Sequence, residues 1–190
     1  MRGQRTKQPS GEKTSFGKEL FFWGQALVIA LVVLVLVNTF VVRISSVGGT
    51  SMVPTLHDQD RVIVQIIGFD KPNRGDIVVL MTKFFGSDPL VKRVIALGGD
   101  TIDIDSVTGD VSVNGTVINE PYIAEMIQQQ HRGDFAYPYK VPDNCVFVMG
   151  DNRNHSSDSR VAYVGPIPYD QIIGRVIYRV LPIKDFGKIA

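Results

Sequence analysis

The sequence predicts a mainly β body carried behind one apolar helix. Three observations predict it. A run without a single charge extends from Phe21 to Val42. After it, short segments dense in Val and Ile alternate with Gly-, Pro- and Asn-containing turns as far as Val180. The 44% hydrophobic content of the 190 residues suits a packed core and argues against disorder.

Residues 1–20 form a basic tail, with Arg2, Arg5, Lys7, Lys13 and Lys18 against Glu12 and Glu19. Ser15 is a plausible N-cap for the helix that follows. The 22 uncharged residues 21–42 are long enough as a helix to cross a hydrocarbon layer of about 30 Å. Phe21, Phe22 and Trp23 suit one interface and Arg43 closes the other end. A cleaved signal peptide would have a shorter apolar region and a small-x-small site, whereas Val41-Val42-Arg43-Ile44 follows here, so the reading is a retained anchor. The positive-inside bias then keeps the tail cytoplasmic and puts residues 43–190 across the membrane.

The stretch Gly48-Gly49-Thr50-Ser51-Met52-Val53-Pro54-Thr55-Leu56 presents Ser51 on a rigid turn. The glycines admit close backbone approach, and Pro54 fixes its own φ and favours an extended Val53. A serine beside glycine is most often a turn residue only; it becomes a nucleophile if partners stand beside it. Strands are expected at residues 61–67 and 76–81, separated by the turn Lys71-Pro72-Asn73-Arg74-Gly75. The loop 84–89 carries Phe84 and Phe85, which either pack down or face the membrane surface.

In Leu90-Val91-Lys92-Arg93-Val94-Ile95-Ala96, strand alternation puts Lys92 with Leu90, Val94 and Ala96, and Arg93 with Val91 and Ile95. A lysine with only apolar face-mates either snorkels from an edge or is a desolvated amine of lowered pKa. Residues 101–105, 110–113 and 116–118, with turns at Thr108-Gly109-Asp110 and Asn114-Gly115, read as a small antiparallel unit inserted at about 101–140. Cys145–Met149 returns to strand and runs into the polar stretch 150–160, which by composition is a solvated loop. A last strand spans Ile172 to Val180, with Val176, Tyr178 and Val180 on one face.

Several classes are disfavoured. One cysteine, Cys145, makes no internal disulfide, and His57, His131 and His155 have no ligand spacing, so neither metal nor cofactor is expected. A net charge of +1 gives no reason to expect a nucleic-acid partner.

Four blocks, taken in order, carry a resemblance: Gly49-Thr50-Ser51-Met52-Val53-Pro54-Thr55-Leu56, Arg74-Gly75-Asp76-Ile77-Val78, Val91 to Asp100, and Gly150-Asp151-Asn152-Arg153 with Ser156, Asp158, Ser159 and Arg160. Behind this kind of anchor they resemble bacterial type I signal peptidase, in its short Gram-positive-like form. The resemblance implies a β-rich catalytic domain of twisted antiparallel sheets. It also implies a membrane-anchored serine endopeptidase cutting signal peptides from secreted preproteins after small residues at −1 and −3. It matches Ser51 to the nucleophile, Lys92 to the general base and Ser156 to the hydroxyl that orients the lysine. Asp151 with Arg93, and Asp158 with Arg160, match supporting ion pairs. Met52, Leu56, Leu90 and Val91 match or adjoin the substrate pocket, or are ordinary core. Some relatives hold the oxyanion with a serine hydroxyl where this chain has Gly49, so here the hole rests on the Ser51 N–H and a neighbouring backbone donor. The partners implied are signal peptides and the lipid bilayer, at the cytoplasmic membrane.

Two rival readings remain at this level. Ser51 served by His155 or His57 and an aspartate would make a Ser–His–Asp hydrolase. Incidental placement of Ser51 and Lys92 would leave a membrane-anchored β binding module without catalysis.

Overall fold

The structure, a computed structural model, describes residues 16–37, 41–82, 86 and 88–189. The Ser15 cap, the basic residues Arg2 to Lys13 and the aromatic pair Phe84 and Phe85 lie outside them. The chain divides into two compact units, residues 1–37 and 38–190.

In the first unit, α1 (Phe16–Leu36) is a single helix with no buried residue, long and apolar enough to cross a membrane. Its bounds differ from the expected 21–42. It begins earlier, with Glu19 in the first turn where the helix dipole favours an anion. At the far end Val37 and Val41 are in helical conformation, residues 38–40 lie outside the described residues, and Val42 opens a strand.

In the second unit every strand pair is antiparallel, so the body is mainly β as expected. The strands are β1 (Val42–Ser46), β2 (Arg61–Gln65), β3 (Ile77–Leu80), β4 (Leu90–Leu97), β5 (Thr101–Ile104), β6 (Val111–Val113), β7 (Thr116–Val117), β8 (Tyr139–Lys140), β9 (Cys145–Met149), β10 (Ile167–Pro168), β11 (Ile172–Leu181) and β12 (Gly187–Lys188). Among the described residues, one sheet runs β1-β2-β11-β3-β4-β9-β10, with β12 paired to β11. A second runs β7-β6-β5-β8 and is the inserted unit, its β6–β7 turn made by Asn114 and Gly115, both at positive φ.

Register shifts curl the large sheet. They fall in β11 against β2 and β3, and between Val94 and Ala96 where β4 meets β9. The last one corrects the predicted face of Lys92. Leu90 and Val94 do pack together, with Val78, Leu80, Val146, Val148 and Ile167, but the extra residue sends Ala96 into the cluster of Ile95, Ile102, Phe147 and Met149. A third cluster, Met52, Leu56, Val62, Val64, Ile77, Val79, Val91 and Val176, lies under the turn that bears Ser51. β4 is therefore buried along both faces and places Lys92 and Arg93 inside the body rather than at its rim.

Candidate active site

The Ser51 turn is held from several sides. Val47 donates to Asp60 O and Gln59 to Val47 O, closing the segment from 47 to 60 at 2.8 and 3.0 Å. Gly49, at φ +80°, donates its N–H to Asp58 Oδ1 at 2.8 Å, and that N–H together with Gln59 holds the Asp58 carboxyl below its usual range. Met52 and Leu56 point down into the third cluster, essentially without exposure. Burying two such side chains contributes roughly 1.5–3 kcal/mol each. Arg179 of β11 clamps the end of the turn, donating to Thr55 O and Asp60 Oδ2 at 3.1 and 3.0 Å. The result is a half-exposed Ser51 on a fixed backbone.

Lys92 meets it from β4. The residue is 3% exposed, and its amine donates to Ser51 Oγ at 2.7 Å and to Val91 O at 3.1 Å. Burial pushes its pKa down to about 8; Asp158 and Asp151 oppose that shift and Arg160 reinforces it. Snorkelling, the other reading of this lysine, is excluded by its burial. Among the described residues neither His57 nor His155 hydrogen-bonds Ser51.

The polar stretch 150–160 is not the solvated loop its composition suggests. Asp151, Arg153, Asn154, Asp158, Ser159 and Arg160 are all buried, because each charge has a partner. Arg93 grips Asp151 with Nε and Nη2 at 2.9 and 2.8 Å, donates to Gly75 O and stacks over the Tyr122 ring. Arg160 grips Asp158 at 2.8 and 2.9 Å, and also donates to His131 O and Arg153 O. Burial would raise the Asp158 carboxyl, but Arg160 and the Gly150 N–H hold it below its usual range.

Sequence reasoning missed several members of this frame. Thr55 donates to Asp151, joining the Ser51 turn to the Arg93 pair. Arg153 bridges Gly150 O to Glu120 of the inserted unit, and Asn154 clamps Met126 O and the Gln128 N–H. Arg153 stood inside a quoted block; Glu120 lies 33 residues away in a stretch without pattern, so nothing local signalled the pair.

The remaining expected residues divide. Met52, Leu56 and Val91 share one cluster, whereas half-buried Leu90 belongs to the opposite face of β4. The Gly49 N–H, expected to help with an oxyanion, is engaged by Asp58. Ser156 Oγ is buried beside the Asp158 carboxyl, whose pKa it helps to lower, and the bonds of Lys92 go to Ser51 and Val91 instead. It nevertheless borders the turn: a Cβ on Gly150 would strike both Ser156 Oγ and Ser51 O.

An amine that is half neutral near pH 8 and sits against a serine hydroxyl is able to take its proton, which is the chemistry of a serine hydrolase with lysine as the base. The sequence pattern described as signal peptidase, peptidase S26, matches residues 20–181, and the chain belongs to this family. Signal peptidase I S of Bacillus subtilis (strain 168) is 39% identical over 189 residues, covering 93% of this chain and 97% of that one. A probable signal peptidase I-2 of Synechocystis is 36% identical, covering 86% and 74%. Signal peptidase IB of Staphylococcus aureus (strain N315) is 35% identical, covering 89% and 93%.

Proposed function

We propose that this chain is a membrane-anchored serine endopeptidase that removes signal peptides from exported preproteins, with Ser51 as nucleophile and Lys92 as general base. The single observation that supports these roles is the buried Lys92 amine 2.7 Å from Ser51 Oγ. Neutral Lys92 accepts the hydroxyl proton as Oγ attacks the carbonyl of the −1 residue. The tetrahedral oxyanion is held by the Ser51 N–H. Collapse breaks the peptide bond, and the Lys92 ammonium returns the proton to the leaving amine. Water then cleaves the Ser51 ester by the same route, with Lys92 as base.

The Arg93–Asp151 pair keeps the 150–160 stretch against β4, the Arg160–Asp158 pair fixes that stretch internally, and Ser156 supplies a hydroxyl beside the dyad. Small side chains at −1 and −3 enter as an extended strand next to β4, with Met52, Leu56 and Val91 forming the apolar floor and Leu90 an outer neighbour. The helix Phe16–Leu36 holds the enzyme in the bilayer, with the basic tail cytoplasmic and the β unit across the membrane.

The test is cleavage of a preprotein with an Ala-x-Ala site by the full chain in detergent or lipid. Ser51→Ala and Lys92→Ala abolish it and His155→Ala leaves it near normal. Loss of activity in the His155 variant alone would hand the base to histidine, and full activity of both dyad variants would leave a binding module.

A further inference from the structure

The oxyanion donor itself is positioned by a residue outside the dyad. Thr50 C=O and Ser51 N–H belong to one peptide plane, and in a trans peptide they point in opposite directions. Whatever fixes the carbonyl therefore aims the N–H. Thr50 O accepts from Val53 N–H at 3.2 Å, a bond internal to the turn that moves with it. It also accepts from Asn152 Nδ2 at 3.1 Å, across from the 150–160 stretch. The Asn152 backbone N–H donates to the next carbonyl, Ser51 O, at 3.0 Å. One residue thus holds the peptides on both sides of the Ser51 Cα.

Asn152 is itself anchored. It follows Asp151, which Arg93 and Thr55 fix, and its carbonyl accepts from the His155 N–H at 3.0 Å. The Ser51 N–H has no acceptor among the described residues, while the Gly49 N–H two residues earlier is already bound to Asp58. With no hydroxyl at Gly49 to share the load, the direction and polarity of this single N–H decide how well the oxyanion is held. Donation to Thr50 O serves both, since it fixes the plane and draws density through the peptide toward the carbonyl, strengthening the N–H.

We propose that Asn152 is a positioning residue of the oxyanion site, its carboxamide bond to Thr50 O aiming the Ser51 N–H at the developing negative oxygen. The inference rests on the reading of Ser51 as nucleophile given above.

The experiment compares the full chain in detergent with Asn152→Asp and Asn152→Ala, and with Ser51→Ala and Lys92→Ala as controls. Asn152→Asp keeps the shape but turns an acceptor toward Thr50 O. Four quantities are read: kcat and KM on the preprotein across pH, the inhibition constant of an Ala-x-Ala peptide aldehyde, and that of the matching peptide alcohol. The aldehyde accepts Ser51 Oγ at its carbonyl carbon and so puts an oxygen where the oxyanion forms; the alcohol has no carbonyl to be attacked. Both Asn152 variants are expected to lower kcat about 10- to 100-fold, somewhat less than deletion of a direct oxyanion donor. KM and alcohol binding stay within about twofold and aldehyde binding weakens in step with kcat. The pH midpoint of the kcat limb is read in Asn152→Ala alone and stays in place there, because that change adds no charge near Lys92, whereas the carboxylate of Asn152→Asp would raise it.

Wild-type kcat in both variants overturns the inference. So does a loss carried by KM, by alcohol binding or by a pH midpoint displaced in Asn152→Ala, and so does unfolding of both variants, each of which makes Asn152 a structural residue only. If the dyad controls are dead while the Asn152 variants are fully active, this inference alone fails; if the controls cleave normally, the nucleophile reading fails and takes it along.

Discussion

Lys92 is a residue whose burial sets both an activity and a cost. Its pKa in the folded chain lies at about 8, below the 10.5 of a free lysine, so the neutral amine becomes the majority form only above about pH 8. We expect kcat/KM on a preprotein to rise about tenfold per pH unit below a midpoint near 8 and then level off. Lys92→Arg, which keeps the charge but gives no proton up, should stay inactive up to pH 10. The sign of the stability effect is the reverse. Between pH 8 and 10.5 the unfolded chain holds a proton that the folded chain has lost, so this group penalises folding fully below pH 8 and progressively less above it. Lys92→Met should therefore abolish cleavage yet stabilise the fold by roughly 1–3 kcal/mol at pH 7, the gain fading toward pH 10, as measured by urea unfolding. The ion pairs behave in the ordinary direction. Asp151→Asn leaves the buried Arg93 without its carboxylate and should cost about 3–5 kcal/mol, while Asp100→Asn, beside the half-exposed Arg74, should cost about 1 kcal/mol. Equal losses in the two variants would sink that argument. Lys92 was legible in part: alternation placed it on an apolar face, but only the sheet around it distinguishes a central strand from an edge. The burial of Asp151 was not legible: the resemblance paired it with Arg93, but the polar composition of 150–160 reads as solvated.

At the scale of elements, two glycines separate what builds the sheet from what builds the site. A Cβ on Gly174 would strike Gln65 O, where β11 passes β2 beside a register shift. A Cβ on Gly150 would strike Ser51 O and Ser156 Oγ. Both substitutions to Ala are overpacked and should destabilise by about 1–3 kcal/mol. Their kinetics should differ: Gly150→Ala displaces the nucleophile turn and loses cleavage by more than tenfold, whereas Gly174→Ala keeps the kcat of its folded fraction. Matching kcat values for the two, at equal folded fractions, would show that Gly150 does not gate the turn. The strands themselves were largely readable, because residues 90–97, 101–104 and 145–149 carry dense β-branched runs between strong turns. Their order was not. β11 enters between β2 and β3, pairing with residues 92 to 120 positions earlier, and a bulge at Ile95 reverses the alternation on which face assignments depend.

For the whole molecule, the chain combines a helix that buries nothing with a β unit whose core is its own. All three hydrophobic clusters are built from residues between Val47 and Ile189. None of these clusters includes a residue of α1. The four sequence blocks made the family legible because they gather at one place: side-chain bonds join the turn, β4 and the 150–160 stretch, and Gly75 of the remaining block accepts from Arg93. The ends of the anchor were less legible, since the apolar run continues into β1. Attachment and chemistry should then be separable. Arginine at Val28 and Val32, near the middle of the helix and on one face, should cost about 2.5–3.5 kcal/mol each in a bilayer. We expect the double variant to be released from membranes by alkaline carbonate and to cut a membrane-held preprotein slowly, because tethering no longer concentrates it beside its substrate. A short soluble Ala-x-Ala peptide in detergent should be cut at the wild-type rate. Retention of the double variant in the membrane would show that another surface carries the attachment, and slow cleavage of the soluble peptide would show that the helix supports the catalytic unit directly.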